Sequence, residues 1–167
     1  MNPAEMSAAL TSTVYNRIVQ LRDEIRQAIS AKGLRASGKT QDSLKVVVSG
    51  NRVTLLGRAF FPALQYGSSR WTGRTGVRCT YEEFKQIIMD WATAKGLNFG
   101  QAREHERAVA AIAMSIIKRG TKVHREGRRL DVYDTLIDEA LLDIGQQVSL
   151  VCATAVDVVI DQWAKNR

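Results

Sequence analysis

The sequence predicts an α+β fold: a small antiparallel hairpin-based sheet packed against central helices, with long N- and C-terminal helices. Three observations predict it. Apolar residues recur at helical spacing over long stretches at both ends of the chain. Two β-branched runs flank Ser49-Gly50-Asn51, which is a hairpin signal. Between these parts lie two amphipathic segments, each closed by a glycine.

Asn2-Pro3-Ala4-Glu5 reads as a helix start: Asn2 can cap, Pro3 suits the first helical position, and Glu5 sits in the first turn. Leu10, Val14, Ile18, Leu21, Ile25 and Ile29 then form one apolar stripe, with Thr11-Ser12-Thr13 able to loosen the helix and Gly33 stopping it. Residues 33–41 read as a basic loop. LKVVV at 44–48 and RVTLLGRA at 52–59 are the strands. Phe60 to Gly67 suggests a strand end and one helical turn closed by Gly67. Residues 67–79, with three Gly and three Arg around Trp71, read as an exposed loop.

Thr80 and Glu83 form a capping box for a helix over 81–95, with Phe84, Ile87, Ile88 and Trp91 expected on its buried face. A further helix is expected over 101–119, with Val109, Ile112, Ala113 and Ile116 as its stripe and Gly120 as its stop. A basic loop over 120–130 follows. The last helix is expected from Val132 to Ala164, opening with the acids Asp131 and Asp134 at its N-terminal end. Its residues Ile137, Leu141, Ile144, Val148, Val151, Ala155 and Val158 alternate spacings of four and three, a coiled-coil-like seam. That seam is expected to pack on the stripe from Val14 to Ile29, with Gln147 outside it.

The 167 residues suffice for one domain with a core of its own, in three sections: 1–32, 33–130 and 131–167. Hydrophobic residues are 45% and charged residues 25%, an ordinary globular composition. No run of about 18 uncharged apolar residues occurs, so neither a membrane span nor membrane contact is expected. MNPAEMSAAL lacks the pattern of a secretory signal. Cys79 and Cys152 stand far apart without a CxxC, so reduced thiols are expected.

The net charge of +7 is segregated. Residues 1–130 hold 22 Lys+Arg against 10 Asp+Glu, a balance of +12. Residues 131–164 hold seven acids and no Lys or Arg. A basic body with an acidic C-terminal segment can dock on a copy of itself, on an acidic protein surface or on nucleic acid.

Gly33-Leu34-Arg35-Ala36-Ser37-Gly38-Lys39-Thr40 matches the phosphate-loop pattern GxxxxGK[ST]. Such a loop holds phosphates with its backbone N–H groups, its Lys and a magnesium-binding hydroxyl, but only between a buried strand and a helix. Here the sequence predicts a helix before it and a strand soon after, so the match is read as accidental. His105 lies between Glu104 and Glu106, which point to opposite sides of a helix, and His124 lies among bases. No serine stands in a nucleophile-elbow pattern. The expectation is a protein that is not an enzyme, with no catalytic, metal or cofactor site. The candidate interface is instead Arg70, Trp71, Arg74 and Arg78 with Lys122, Arg125, Arg128 and Arg129, because Arg and Trp dominate interface hot spots and also suit phosphate contact and base stacking.

The order of pieces resembles the tail-completion, or neck, proteins of tailed bacteriophages, which include head–tail joining and minor tail components. The segments that carry the resemblance are ASGKTQDSLKV at 36–46, RAFFPALQYGSSR at 58–70, FKQIIMDWATAKGL at 84–97 and AIAMSIIKRGTKVHREG at 111–127, set between long terminal helices. The resemblance covers most of residues 14–160. It implies a virion structural protein at the neck or tail, assembled in the host cytoplasm as a ring of copies. Its partners would be portal or connector proteins and tail-tube proteins, with non-specific contact to the DNA that passes through. The alternatives are a nucleic-acid-binding module that uses the basic loops and, less favoured, a nucleotide-binding enzyme.

Overall fold

In a computed structural model, residues 2–35, 38–58, 61–69 and 80–165 are described. The chain forms two compact units. One comprises residues 1–33, 41–58 and 132–167, and the other residues 34–40 and 59–131.

The first unit is built on α1 (Pro3–Ala31) and α7 (Asp134–Lys165). The capping box at the start of α1 forms as the sequence requires: Glu5 N–H donates to Asn2 Oδ1 and Asn2 N–H to Glu5 Oε2, each at 2.8 Å. Thr11-Ser12-Thr13 does not interrupt the helix. The chain leaves α1 through Gly33, whose φ of 63° is a left-handed conformation that glycine adopts without a Cβ clash. Asn2 and Met6 of α1 border the same groove as Cys152 to Ile160 of α7, while Arg17 reaches Asp143. The two helices therefore run antiparallel. Leu21, Ile25 and Ile29 of the α1 stripe are buried, with Leu44, Val132, Ala140 and Ala155.

Strands β1 (Lys45–Ser49) and β2 (Arg52–Leu56) form the expected antiparallel hairpin, in register from Lys45 opposite Leu56 to Ser49 opposite Arg52. Gly50 takes a φ of 56°, the positive value that a two-residue turn needs at its first central position. The hairpin packs along α1 in this unit, whereas the sequence reading placed it beside the central helices. Its few half-buried side chains, such as Val46 and its partner Leu55, need only one helix to cover them.

The seam of α7 differs at one position from the expected heptad. Ile137, Ile144, Val148 and Val151 are half-buried as expected, but Leu141 is 61% exposed and Ala140 is buried in its place. A straight helix turns about 100° per residue, so positions 137, 140, 144, 148 and 151 keep to one side while 141 drifts off it. Gln147 is also half-buried, so it lies on the packed side and not outside it. Asp131 is not part of the helix; it turns the chain with a φ of 45°.

The second unit centres on α4 (Tyr81–Ala94) and α5 (Ala102–Arg119). Thr80 and Glu83 form the expected capping box. Ile88 and Ala92 are buried against Val109 and Ala113, with Phe84, Ile112 and Ile116 packed around them. Ile87 and Trp91 were expected on the buried face but are exposed, because the stripe that meets α5 runs through 84, 88 and 92, each four residues apart. Among the described residues three short elements remain: α2 (Lys39–Asp42), α3 (Ala63–Tyr66) and α6 (Lys122–Arg125). The first and last are helical turns within segments that read as loops.

Candidate interaction surface

The basic segment after α5 is folded against α3 by a specific set of contacts within the second unit. Gly120 ends α5 with a φ of 77° and its N–H donates to Ile116 O at 2.8 Å. Thr121 N–H then donates to Ser68 O at 3.0 Å, and Ser68 N–H donates to Thr121 Oγ1 at 3.0 Å. Further along, Leu130 N–H donates to the carbonyl of the fully buried Gln65 at 3.0 Å. Gly67 sits in the closest approach. A Cβ there would meet Thr121 Oγ1 and lie 2.7 Å from His124 N. The glycine that closes α3 is therefore also the residue that lets α6 dock.

This arrangement brings together two stretches that look separate in the sequence. Ser68, which opens the first stretch, is bonded to the start of the 120–130 segment. Arg70, Trp71, Arg74 and Arg78 themselves lie outside the described residues.

The four bases of the second stretch divide into two pairs. Arg125 donates from Nη1 to Gly120 O at 3.0 Å, and Arg129 lies over the Tyr66 ring, 5.6 Å from its centroid. Both hold the segment in place. Lys122 and Arg128 extend outward, 74% and 68% exposed, and flank Glu126 at 3.7 and 3.0 Å. One carboxylate between two cations leaves a net positive surface. The charge is concentrated in this unit: 15 Lys+Arg against 7 Asp+Glu, a balance of +8, while the other unit holds 9 against 10.

The phosphate-loop match has helix α1 before Gly33 and the single turn α2 leading into β1 after Thr40, not strand, loop and long helix. Lys39 is exposed. His105 serves its own neighbourhood. Its Nδ1 accepts from Phe99 N–H at 3.4 Å and its ring stacks on Phe99 with centroids 5.5 Å apart. Among the described residues, no three metal-ligating side chains converge. Among the described residues, two surface pairs perturb each other's acidity. Hydrogen bonding to Arg22 lowers the pKa of Asp23 and raises that of its partner. Lys85 does the same to Glu106, across 2.7 Å.

Sequence reasoning did not find the outer face of α7. Leu141, Leu142, Val156, Val159, Ile160 and Trp163 are between 55% and 70% exposed. The signal was present: Leu141-Leu142 and Val158-Val159-Ile160 supply more apolar residues than one seam can use. Over Asp134–Ile160 the helix is long and apolar enough to cross a membrane by length and composition, although Asp134, Asp138, Glu139, Asp143 and Asp157 lie within it.

In comparisons with protein-family models, with curated proteins and with solved structures, nothing matches this chain.

Proposed function

We propose that this chain is a virion structural protein of a tailed phage, a neck or tail-completion subunit that works through contacts with copies of itself and with portal, connector or tail-tube proteins. The observation that carries the proposal is the positive surface of the second unit. Its segment 120–130 is fixed by Thr121, Arg125, Arg129 and Gly67, so Lys122 and Arg128 are held out on an ordered base. A fixed base loses little freedom on docking, which favours binding to a complementary acidic surface. The resemblance of the segment order to that of neck proteins, read from the sequence, supports the same reading.

The test is light scattering of the purified chain with and without portal protein, on wild type and on Lys122→Glu/Arg128→Glu. Wild type forms a complex of higher mass with portal protein and the double variant does not, while both melt alike. The second reading, a nucleic-acid-binding module, rests on the same two cations. It gains if the double variant keeps its protein complexes and loses only DNA binding, with a log–log salt slope that falls by about 0.9 per phosphate contact removed.

A further inference from the structure

We infer that β1 pairs with β1 of a second copy, antiparallel about a two-fold axis at Val47, so that two hairpins join into one four-stranded sheet. The hydrogen bonding of the hairpin leaves an edge open. The two-residue turn at Gly50-Asn51 makes Ser49 and Arg52 exchange hydrogen bonds, and bonded and non-bonded pairs then alternate along the ladder. Val47 with Thr54 and Lys45 with Leu56 are therefore bonded pairs. Val46 and Val48 turn their N–H and C=O groups away from β2. The sheet has two strands among the described residues, and no partner there meets these groups.

β1 is the more exposed of the two edges. Val47 and Val48 are 43% and 45% exposed, whereas Val53, Thr54 and Leu55 of β2 are half-buried. Proteins that leave a strand edge in water usually blunt it with a charge, a proline or a bulge. Between Lys45 and Arg52 this chain has none of these: Val46-Val47-Val48 is an uncharged β-branched run, and the register is unbroken. A row of free backbone groups on a flat apolar edge is matched by another extended strand.

The strand is its own complement. About Val47, Val46 of one copy falls opposite Val48 of the other, and both such pairs exchange hydrogen bonds. Lys45 falls opposite Ser49, so no like charges face each other across the new ladder. The α1 side of the sheet has room for the arriving side chain. An open cleft of about 590 Å³ lies between Val48 and Ala4, Ala8, Ser12 and Tyr15 of α1. Val46 of the second copy, beside Val48 on the same face, enters that cleft.

The helices fit as well. α1 packs against both strands and is tied to the turn by Ser7 Oγ, which donates to Asn51 Oδ1 at 3.2 Å. Near the start of β1 it is tied by Arg26, which donates to Leu44 O at 3.1 Å. Hairpins joined edge to edge have centres two strand widths apart, about 9.6 Å. The two α1 helices then lie side by side at the ordinary separation of packed helices, roughly 8–10 Å. A ladder about 17 Å long and 10 Å deep, with a strip of α1 about 25 Å by 10 Å, covers about 400 Å² a side. The total of about 800 Å² belongs to the small, weak class of interface, so this dimer forms as concentration rises.

The inference does not rest on the neck reading, because Lys122 and Arg128 belong to the other unit. The test is disulfide trapping of the full chain in a Cys79→Ser/Cys152→Ser background, with sedimentation velocity of the same background at rising concentration. Residues that face each other at the axis form a non-hydrogen-bonded pair with Cα atoms about 4.5 Å apart, within disulfide reach. Val47→Cys is expected to give a covalent dimer on mild oxidation at least about tenfold faster than Val48→Cys, which is equally exposed but off the axis. Sedimentation is expected to show monomer passing to dimer. Val48→Pro removes an N–H that the hairpin itself does not use, so it is expected to abolish the dimer and keep the fold. Val48→Lys, which charges the edge and leaves the backbone alone, is expected to do the same. A monomer at every concentration overturns the inference, and so does trapping of Val47→Cys no faster than of Val48→Cys. Trapping between mixed Val47→Cys and Thr54→Cys chains, without trapping of Val47→Cys alone, overturns the two-fold axis and joins β1 to β2 of the next copy. Slow amide exchange at Val46 and Val48 in the monomer gives the edge to a segment of the same chain and also overturns the inference. Lys122→Glu/Arg128→Glu should leave the trapped dimer intact, which separates failure here from failure of the neck reading.

Discussion

Arg17 of α1 donates from Nε to Asp143 Oδ2 of α7 at 2.8 Å, and from Nη1 to Glu24 at 3.1 Å. The guanidinium is 7% exposed, while Asp143 keeps 43% of its surface. A buried cation that loses one of two carboxylates must be carried by the other. Asp143→Ala is expected to destabilise the fold by about 1–3 kcal/mol, measured by urea unfolding. A change below about 0.5 kcal/mol would show that Glu24 alone suffices.

A second clamp joins α1 to the segment before β1. Gln41 Nε2 donates to Arg26 O at 2.6 Å and to Ser30 Oγ at 2.8 Å, and Arg26 donates back to Gln41 O and Leu44 O, each at 3.1 Å. Gln41 is buried and Lys39, two residues earlier, is exposed. Gln41→Ala should cost about 1–3 kcal/mol, because Arg26 O and Ser30 Oγ lose the donor that the Gln41 amide supplies. Lys39→Ala should stay within about 0.5 kcal/mol. Calorimetry of wild type with ATP and magnesium should show no binding; tight binding abolished by Lys39→Ala would contradict the reading of the phosphate-loop match as accidental.

Gly67→Ala tests the docking of α6. The φ of 69° disfavours any side chain, and the new Cβ meets Thr121 and His124. The expected loss is about 1–3 kcal/mol, with faster amide exchange at Thr121 and Leu130. Unchanged protection at both amides would show that Ser68 and Thr121 do not depend on the close approach.

The α1-facing side of α7 is tested by Ile144→Asp, with Gln146→Asp as its exposed control. Ile144→Asp should cost several kcal/mol in thermal melting, because a carboxylate facing α1 must shed water or take up a proton. Gln146→Asp should melt within a few degrees of wild type.

Glu106 accepts from Lys85 at 2.7 Å, which lowers its pKa in the folded chain. Its contribution to stability is therefore present above the ordinary glutamate pKa and is lost as pH falls through the lowered folded value. An NMR titration of the side-chain carboxyl carbon should place Glu106 below the ordinary range, and Lys85→Met should move it back up. No movement in that variant would remove Lys85 as the cause.

Local signals in the sequence carried the elements that have caps or glycine stops. Asn2 with Glu5, Thr80 with Glu83, and Gly50, Gly67 and Gly120 each act on neighbouring backbone, so their effect is written in adjacent residues. Packing was less legible where two stripes compete. Ile87 and Trp91 repeat at helical spacing as well as Phe84, Ile88 and Ala92 do, and only the position of α5 decides between them. Leu141 fits a heptad on paper, but a straight helix puts Ala140 against α1. Arg17 could not be picked out as buried, because its partner Asp143 lies 126 positions away. Of the candidate surface, the basic residues were readable from the sequence. The Ser68–Thr121 contact that joins their two stretches was not, since neither residue stands in a recognisable motif.

The proposed neck function is tested most directly by immunogold labelling and peptide mass spectrometry of any tailed particles purified from cells that carry the gene for this chain. Several copies per particle are expected, with label confined to the junction of head and tail. Absence of the chain from purified particles, or label spread over the capsid, would contradict it.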